Sequence, residues 1–396
     1  MPLPTPFHPR TFALCESYAW KTWSGYYAAK HFDESPEREY NAIRQGAALL
    51  DVTPLFKYDV QGPDAAVFLD YVMARKVSKL KPGRVTYGCW CDDEGKVLDD
   101  GTCWRLAPDR FRLTSASPSW FWLVRHARGF RVEVRDDTDR LASLALQGPT
   151  SRAVLRAVCD ANLDALKFFG FTETTFVGGF RGAISRTGYT GDLGYELWVE
   201  NAHALALWDL LVARGSDHGL WPIGLDALDI ARIEAGFVLQ GCDYTSAFDT
   251  VLASQKTSPY EIGLGWTVDL DREPFIGQCA LQAEVRDGSA WAFVGLVIDW
   301  DALEAAFDRH HLPPSLPTAA WRQRIPLYQG SRQVGYASSG AWSPTLKRNL
   351  ALASVRPLVA PEGTVVDIEI LVDWERARIP AVVTKLPFFD PPRKRT

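Results

Sequence analysis

The sequence predicts an α+β fold in which two related α/β halves pack together and a separate all-β domain follows. Val60–Ala65 (VQGPDA) and Leu146–Ser151 (LQGPTS) share one pattern, in which an apolar strand runs into a Gly-Pro turn and then a helix. From Ala292 to Pro391 the pattern changes to short strands and turns, which is typical of a barrel or jelly roll. We therefore expect a two-part region at residues 1–290 and a β domain at residues 291–396.

Hydrophobic periodicity assigns the individual elements in order. Apolar residues recur every three or four positions between Asp64 and Met73, which predicts a helix. Alternation predicts a hairpin in which a turn at 92–95 joins the strands Val85–Cys91 and Lys96–Leu106. The other predicted elements are helices at Glu37–Gln45 and Pro222–Gly236, strands at Asp51–Val60 and Phe111–Ser115, and a loose basic tail at Pro391–Thr396.

Charge and hydropathy exclude several classes of partner. The chain of 396 residues has a formal net charge of −5 and no basic stripe, so we expect no nucleic-acid partner. No run approaches the roughly 18 apolar residues of a membrane helix, and residues 1–10 lack the apolar segment of a signal peptide. Seven scattered cysteines are typical of thiols packed as small hydrophobes, without a second pair that could complete a metal site. These features predict a cytoplasmic protein without a membrane partner or a metal.

The most informative stretch is 188–196 (GYTGDLGYE), where three glycines at a spacing of three precede an extended run. Glycine is needed where φ is positive or where a ligand approaches the backbone. Glu196 stands at the start of the predicted strand, so a rigid element aims its carboxylate. Such a carboxylate can accept two N–H donors from a flat heterocycle. A solvated hairpin with a surface glutamate is the alternative that these residues leave open.

Four further motifs follow this stretch in a fixed order: RIEAG at 232–236, EIGLGWTV at 261–268, FIG at 275–277 and SSGAWSPTL at 338–346. In this order the five motifs resemble the folate-dependent aminomethyltransferase family, which includes the T-protein of the glycine cleavage system and tetrahydrofolate-dependent demethylases. The resemblance extends from about Tyr40 to about Pro357. It implies two interleaved α/β subdomains around a central folate cleft, tetrahydrofolate as the cofactor and one-carbon transfer as the reaction.

The resemblance places the catalytic aspartate of the family at Asp99, within the pair Asp99-Asp100. Adjacent residues of a strand point to opposite faces, so only one of the two can face a given cleft. A carboxylate there can hydrogen-bond the folate amine and stabilise positive charge on the transferred carbon. An acidic pair that ends a hairpin strand is the alternative.

The resemblance also implies a set of folate-binding residues. Glu196 would anchor the aminopyrimidine edge of the pterin. Arg232 would face the carbonyl or carboxylate side of folate, and a surface ion pair with Asp229 is its alternative role. Three aromatic residues would lie against the cofactor or line the cleft, with core or cross-strand packing as their alternative: Tyr87, Tyr189 and Trp266.

Within the family, the chain departs from the branch that matures iron–sulfur proteins, because QGCDY at 240–244 lacks the lysine-glycine-cysteine-tyrosine signature. The region where a carrier's lipoyl arm would enter is rich in bulky residues: Trp23, Tyr26, Tyr27, Trp120 and Trp122. We therefore expect a demethylase that moves a methyl group from a small O-, N- or S-methyl donor to tetrahydrofolate. A T-protein acting on a lipoyl carrier protein, which is disfavoured, and a non-catalytic folate-binding scaffold are the alternatives.

Overall fold

A computed structural model describes every residue from Met1 to Thr396. Its strands form a two-stranded ribbon, two open sheets and one closed barrel. The strands are β1 Trp20–Trp23, β2 Tyr26–Ala29, β3 Ala47–Asp51, β4 Phe56–Gln61, β5 Arg84–Cys91, β6 Val97–Ala107, β7 Arg110–Ser115, β8 Glu133–Asp136, β9 Leu141–Gln147, β10 Phe171–Thr175, β11 Arg181–Ser185, β12 Gly194–Glu200, β13 Leu220–Pro222, β14 Ala292–Ile298, β15 Ile325–Gln329, β16 Arg332–Ser343, β17 Arg348–Val355, β18 Val365–Val372 and β19 Glu375–Thr384.

The α-helices pack around these sheets, and no helix is both long and apolar enough to cross a membrane. The helices are α1 His8–Leu14, α2 Glu37–Gln45, α3 Ala65–Val72, α4 Trp120–His126, α5 Ser151–Arg156, α6 Ala204–Gly215, α7 Leu225–Glu234, α8 Gln278–Asp287 and α9 Trp300–Asp308.

The two open sheets correspond to the two predicted halves, and each contains one copy of the strand–turn–helix repeat. The five-stranded sheet has the order β5-β6-β7-β4-β8, and β4 leads into α3. The six-stranded sheet has the order β10-β11-β12-β9-β3-β13, and β9 leads into α5. Because β3 precedes β4 in the chain but pairs with β9, the halves interleave. This arrangement and the C-terminal barrel confirm the predicted fold class.

The predicted strand Asp51–Val60 is broken where the chain passes between the sheets. The carboxylate of Asp51 accepts the backbone N–H of Thr53 at 3.0 Å, which closes a tight turn after β3. Pro54 lacks the N–H that a strand ladder requires. The two parts of the predicted strand therefore belong to different sheets.

The barrel closes in the order β14-β17-β16-β15-β18-β19 and contains its own apolar core. The prediction that residues from Ala292 to Pro391 form only strands and turns is wrong at α9. Asp299 caps this helix by accepting the N–H of Ala302 at 2.8 Å. Leu303 and Ala306 lie three positions apart on α9 and enter the barrel core, which explains the helical periodicity.

The C-terminal segment is ordered against the body of the protein, so the prediction of a loose tail is wrong. Arg393 forms a two-pronged ion pair with the buried Asp192, at 2.6 and 2.8 Å. The ammonium of Lys394 lies 5.1 Å from the ring centre of Phe237. A charged, proline-containing segment is held here by partners that lie between 157 and 201 positions earlier in the sequence.

Candidate functional site

A cavity of about 1120 Å³ lies where the two open sheets meet the barrel. Strands from all three units contribute lining residues, among them Thr114 of β7, Glu196 of β12 and Val383 of β19. The cavity is large enough for a ligand of cofactor size together with a small substrate. The interleaved connections thus place side chains from distant parts of the sequence around one space.

Glu196 is the third residue of β12, directly after the glycine-rich turns, and its side chain reaches the cavity. Its Oε2 accepts a hydrogen bond from Thr187 Oγ1 at 2.7 Å, and Ser185 Oγ lies at 3.5 Å. No protein group donates to Oε1, so that oxygen can accept from a ligand. Burial raises the pKa of Glu196, and the two hydroxyls oppose that rise by hydrogen-bonding its charged form.

Two of the three glycines of the 188–196 stretch are explained by a buried amide rather than by a ligand, and the third, Gly191, has a positive φ of 73°. A Cβ at Gly188 or Gly194 would lie 2.0 or 2.1 Å from Oε1 of Gln147. Gln147 donates to the carbonyl of Tyr195 at 3.1 Å and accepts from Thr190 Oγ1 at 2.9 Å. Gln147 therefore braces the start of β12, and only glycine leaves room for it on either side.

The aspartate pair on β6 divides as strand alternation predicts, but with the roles of the two faces exchanged. Asp99 is fully buried outside the cavity and accepts the backbone N–H groups of Asp100 and Ser117, both at 2.8 Å. Asp100 lines the cavity. The prediction that Asp99 faces the cleft is therefore wrong by one residue. The prediction of Asp99 follows from the resemblance, which does not fix the alignment to one residue within an acidic pair, and the β5–β6 ladder is irregular just before Asp99.

Two phenols hold the Asp100 carboxylate at the cavity wall. Tyr87 on β5 donates its hydroxyl to Oδ2 at 2.6 Å, and Tyr244 donates to Oδ1. Burial raises the pKa of Asp100, and hydrogen bonds from the two tyrosines lower it in part. Both oxygens thus have a fixed orientation inside a largely apolar cavity.

An aromatic wall continues from Tyr87 towards solvent. Trp266 stacks on Tyr87 with ring centres 6.0 Å apart and an interplanar angle of 24°, and Trp266 itself is 63% exposed. The guanidinium of Arg75 lies 5.3 Å from the Trp266 ring. The exposed Trp266 therefore marks one edge of the cavity.

A second wall is built by α7 and the residues after it. Arg232 is fully buried, and its Nε and Nη1 bind Asp229 and Asp243 at 2.7 and 2.5 Å. The ion pair with Asp229 exists, but it is buried and borders the cavity rather than lying on a solvated helix face. Tyr189 stacks on Phe237 at 5.5 Å beside this guanidinium. This wall thus combines an arginine fixed by two aspartates with a pair of stacked aromatic rings.

The five predicted cofactor-binding residues all line the one cavity: Glu196, Tyr87, Tyr189, Arg232 and Trp266. The bulky entrance residues are different. Trp23 lines the cavity, whereas the other four do not: Tyr26, Tyr27, Trp120 and Trp122. Tyr26 donates instead to Asp139 at 2.7 Å, and Trp120 packs on the core of the five-stranded sheet. The expectation of an entrance narrowed by these four aromatics is wrong.

Basic residues from the C-terminal part of the chain also reach the cavity, although the sequence alone does not predict them there. Lys385 follows β19, and Lys394 and Arg395 belong to the segment that packs against Asp192. The local sequence does not predict that these residues reach the cavity, because a basic chain terminus is usually solvated.

Comparison with known proteins agrees with this architecture. Residues 11–272 match the family described as the GCVT N-terminal domain, and residues 312–390 match the glycine cleavage T-protein C-terminal barrel domain. The crystal structure of glycine cleavage system aminomethyltransferase T from Bartonella henselae superposes with a TM-score of 0.82 at 26% identity, covering 98% of each chain.

Two curated relatives differ in length and in name. Aminomethyltransferase of Bacillus subtilis is 32% identical over 96% of this chain and 98% of its own length. Trimethylamine-oxide aldolase of Ruegeria pomeroyi is 33% identical over 99% of this chain. The chain spans only 47% of that second relative, about half its length.

Proposed function

Because the chain belongs to the glycine cleavage T-protein family of folate-dependent transferases, we propose that it moves a methyl group from a small O-, N- or S-methyl compound to tetrahydrofolate. The observation that carries this proposal is a pair of carboxylates, Glu196 and Asp100, that line the same cavity. Glu196 offers an unpartnered oxygen, and Asp100 is oriented by two phenols. The first suits binding of a heterocycle, and the second suits chemistry.

The residues present fit tetrahydrofolate. Oε1 of Glu196 is an acceptor for the adjacent N–H donors of an aminopyrimidine ring, and such charge-assisted bonds are strong. Tyr189 and Phe237 supply an aromatic surface for a flat ring. The glutamate tail of folate is anionic, and three cations at the cavity can attract it: Lys385, Lys394 and Arg395, of which the last two share Asp390 as a partner.

When bound, tetrahydrofolate supplies the nucleophilic nitrogen that accepts the one-carbon unit. The chain contributes a fixed carboxylate at Asp100, which stabilises positive charge that develops on the transferred carbon. Tyr87 and Tyr244 hold both oxygens of Asp100 in place, so no reorganisation is needed during the reaction. Buried surroundings strengthen these electrostatic interactions by excluding water. We propose Asp100, and not Asp99, as the catalytic residue.

A small substrate is supported by one relative in particular, because trimethylamine-oxide aldolase is named for a small methylated compound and aligns with 99% of this chain. The aminomethyltransferase relatives support the second candidate, a T-protein that acts on a lipoyl carrier. A non-catalytic scaffold would need Glu196 but would not need an oriented carboxylate at Asp100. The cytoplasmic location expected from the sequence remains part of this proposal.

A direct test incubates the protein with tetrahydrofolate and a panel of methylated amines, ethers and sulfonium compounds. Methyl- or methylene-tetrahydrofolate is followed by mass spectrometry. A parallel reaction contains lipoylated carrier protein, ammonia and methylene-tetrahydrofolate. Product from a small donor supports the proposal, whereas efficient aminomethyl transfer in the parallel reaction, with none from the panel, would replace it with the T-protein function.

A further inference from the structure

Two buried cations lie side by side on the five-stranded sheet without a carboxylate partner. Lys57 on β4 is fully buried, and Arg112 on β7 is 8% exposed. Thr114 is the register partner of Lys57, and Asp59 is that of Arg112, so the two cations are diagonal neighbours on one face. Lys57 donates to the carbonyls of Thr53 and Leu55 at 2.6 and 2.7 Å. The side chain of Arg112 makes no hydrogen bond within the protein, and its Nε is buried.

The six-stranded sheet presents two further unpartnered groups to the same space. Trp198 on β12 and Ser143 on β9 are register partners, so their side chains share a face. The Lys57 ammonium and the Arg112 guanidinium lie 5.9 and 5.7 Å from the Trp198 ring. Trp198 Nε1 and Ser143 Oγ are buried without a hydrogen-bond partner. We call these four residues the intersheet cluster: Lys57, Arg112, Ser143 and Trp198.

Nearby carboxylates form no direct ion pair with Lys57 or Arg112, although the charge of Asp51 favours the protonated form of Lys57 from beyond ion-pair distance. Asp59 binds Arg110 at 2.9 Å and Arg135 at 3.5 Å. Asp137 binds Arg140 at 2.7 Å. Asp51 accepts from Thr5 Oγ1 at 2.6 Å and from the N–H of Thr53 at 3.0 Å.

The electrostatics of the two cations reflect this lack of a direct partner. Burial lowers the pKa of Lys57 to about 7 and that of Arg112 to about 10, although the more distant carboxylates act in the opposite direction. A buried charge without a hydrogen-bonded partner is strongly unfavourable. The four donors of the cluster therefore lack a hydrogen-bond acceptor whose negative charge would balance Lys57 and Arg112.

We propose that the intersheet cluster binds one small monovalent anion, either a halide or the carboxylate of a one-carbon acid. The Lys57, Arg112 and Trp198 groups only donate hydrogen bonds, and the Ser143 hydroxyl can donate as well. One anion between them supplies the acceptor and the charge that they lack, whereas a water molecule would leave both charges in place. Trp198 and Thr114 also line the central cavity, so the cluster borders a space through which a small ion can arrive.

Crystals of the full chain soaked in sodium bromide test the location of the site. We expect one anomalous peak at hydrogen-bond distance, about 3.3 Å, from Arg112 Nε and Trp198 Nε1. Soaking in sodium formate together with bromide distinguishes the two sources, since loss of the peak supports a carboxylate and its persistence supports a halide. Absence of a peak at the cluster in bromide alone would overturn the proposal.

Thermal unfolding in chloride, formate and gluconate at equal ionic strength tests the same site in solution. We expect the Tm to rise by about 2–5 °C in chloride or formate relative to gluconate, because an anion that binds only the folded state stabilises it. Arg112→Met should remove this dependence, and Trp198→Phe, which retains both cations, should weaken bromide binding about tenfold.

The matched control is Arg135→Met, which removes a half-exposed cation from the same sheet. This variant should retain the anion dependence of the wild type. If the Arg112→Met protein does not fold, the Trp198→Phe variant still decides the question. Equal Tm values of the wild type in all three salts would refute the proposal.

Discussion

The exchange of roles between Asp99 and Asp100 is open to a decisive mutational test. We compare Asp100→Asn with Asp99→Asn, two changes of equal size at adjacent positions of β6. The structure assigns the two carboxylates to different tasks, because Asp100 faces the cavity and Asp99 binds two backbone N–H groups. The variants should therefore differ in which property they lose.

Asp100→Asn removes a negative charge from the cavity wall but keeps an oxygen that can accept from one tyrosine. Removal of one preorganised electrostatic group from an active site typically lowers kcat by about 10²–10³-fold. The folded protein loses little, because a costly buried charge disappears with the lost hydrogen bond. We expect a kcat at least about a hundredfold lower, with the free energy of unfolding within about 1 kcal/mol of the wild type.

Asp99→Asn places an amide nitrogen opposite one of the two backbone N–H groups that the carboxylate now satisfies. One buried donor then lacks an acceptor, which costs about 1–3 kcal/mol. The turn at Ser117 should loosen, but the cavity wall remains intact. We expect a lower free energy of unfolding and a kcat within about threefold of the wild type for the folded fraction.

Urea unfolding and single-turnover kinetics with tetrahydrofolate and the best donor of the panel measure both properties. Turnover is normalised to folded protein by circular dichroism. The assignment fails if Asp99→Asn lowers kcat a hundredfold at unchanged stability while Asp100→Asn remains active. That result would return the catalytic role to the buried member of the pair.

Three further outcomes are expected. Glu196→Gln should weaken tetrahydrofolate binding by about 1–3 kcal/mol in calorimetry, and unchanged affinity would contradict its role as the pterin anchor. Turnover should fall as the pH drops through the raised pKa of Asp100, since the ionised form is required, and Asp100→Asn should abolish this acid limb. Arg393→Ala should destabilise the fold by about 1–3 kcal/mol in urea by leaving Arg44 as the one cation that pairs with Asp192, whereas the more exposed Arg395→Ala should change stability by less than about 0.5 kcal/mol.

Local patterns account for the parts of the fold that the sequence predicts well. The hairpin of β5 and β6 depends on alternation and a four-residue turn, and helix α2 has the predicted bounds Glu37–Gln45. The repeated Gly-Pro turns likewise mark the ends of β4 and β9. These features depend on residues within about ten positions of one another, where propensity and periodicity are informative.

The errors arise where distant partners decide the outcome. Alternation shows that Asp99 and Asp100 face opposite ways, but the packing of the two sheets and the barrel around the cavity determines that Asp100 lines it. The fate of the C-terminal segment depends on Asp192, about two hundred positions away. The orientation of Trp120 depends on the core beneath α4 rather than on its aromatic character. Contacts with residues so distant in the sequence cannot be predicted from local patterns.

The turn between β3 and β4 has a consequence for how the chain acquires its structure. Strands that are consecutive in sequence enter different sheets, and β3 pairs with β9, whose pairing residues lie between 93 and 99 positions later in the chain. Such non-local pairing slows folding and prolongs the time for which strand edges remain unpaired during folding. A cut between β8 and β9 would separate β3 from β9, so the six-stranded sheet would lose one of its strands. We therefore expect the first 290 residues to acquire structure cooperatively, and a cut placed between the two open sheets to yield fragments that do not fold.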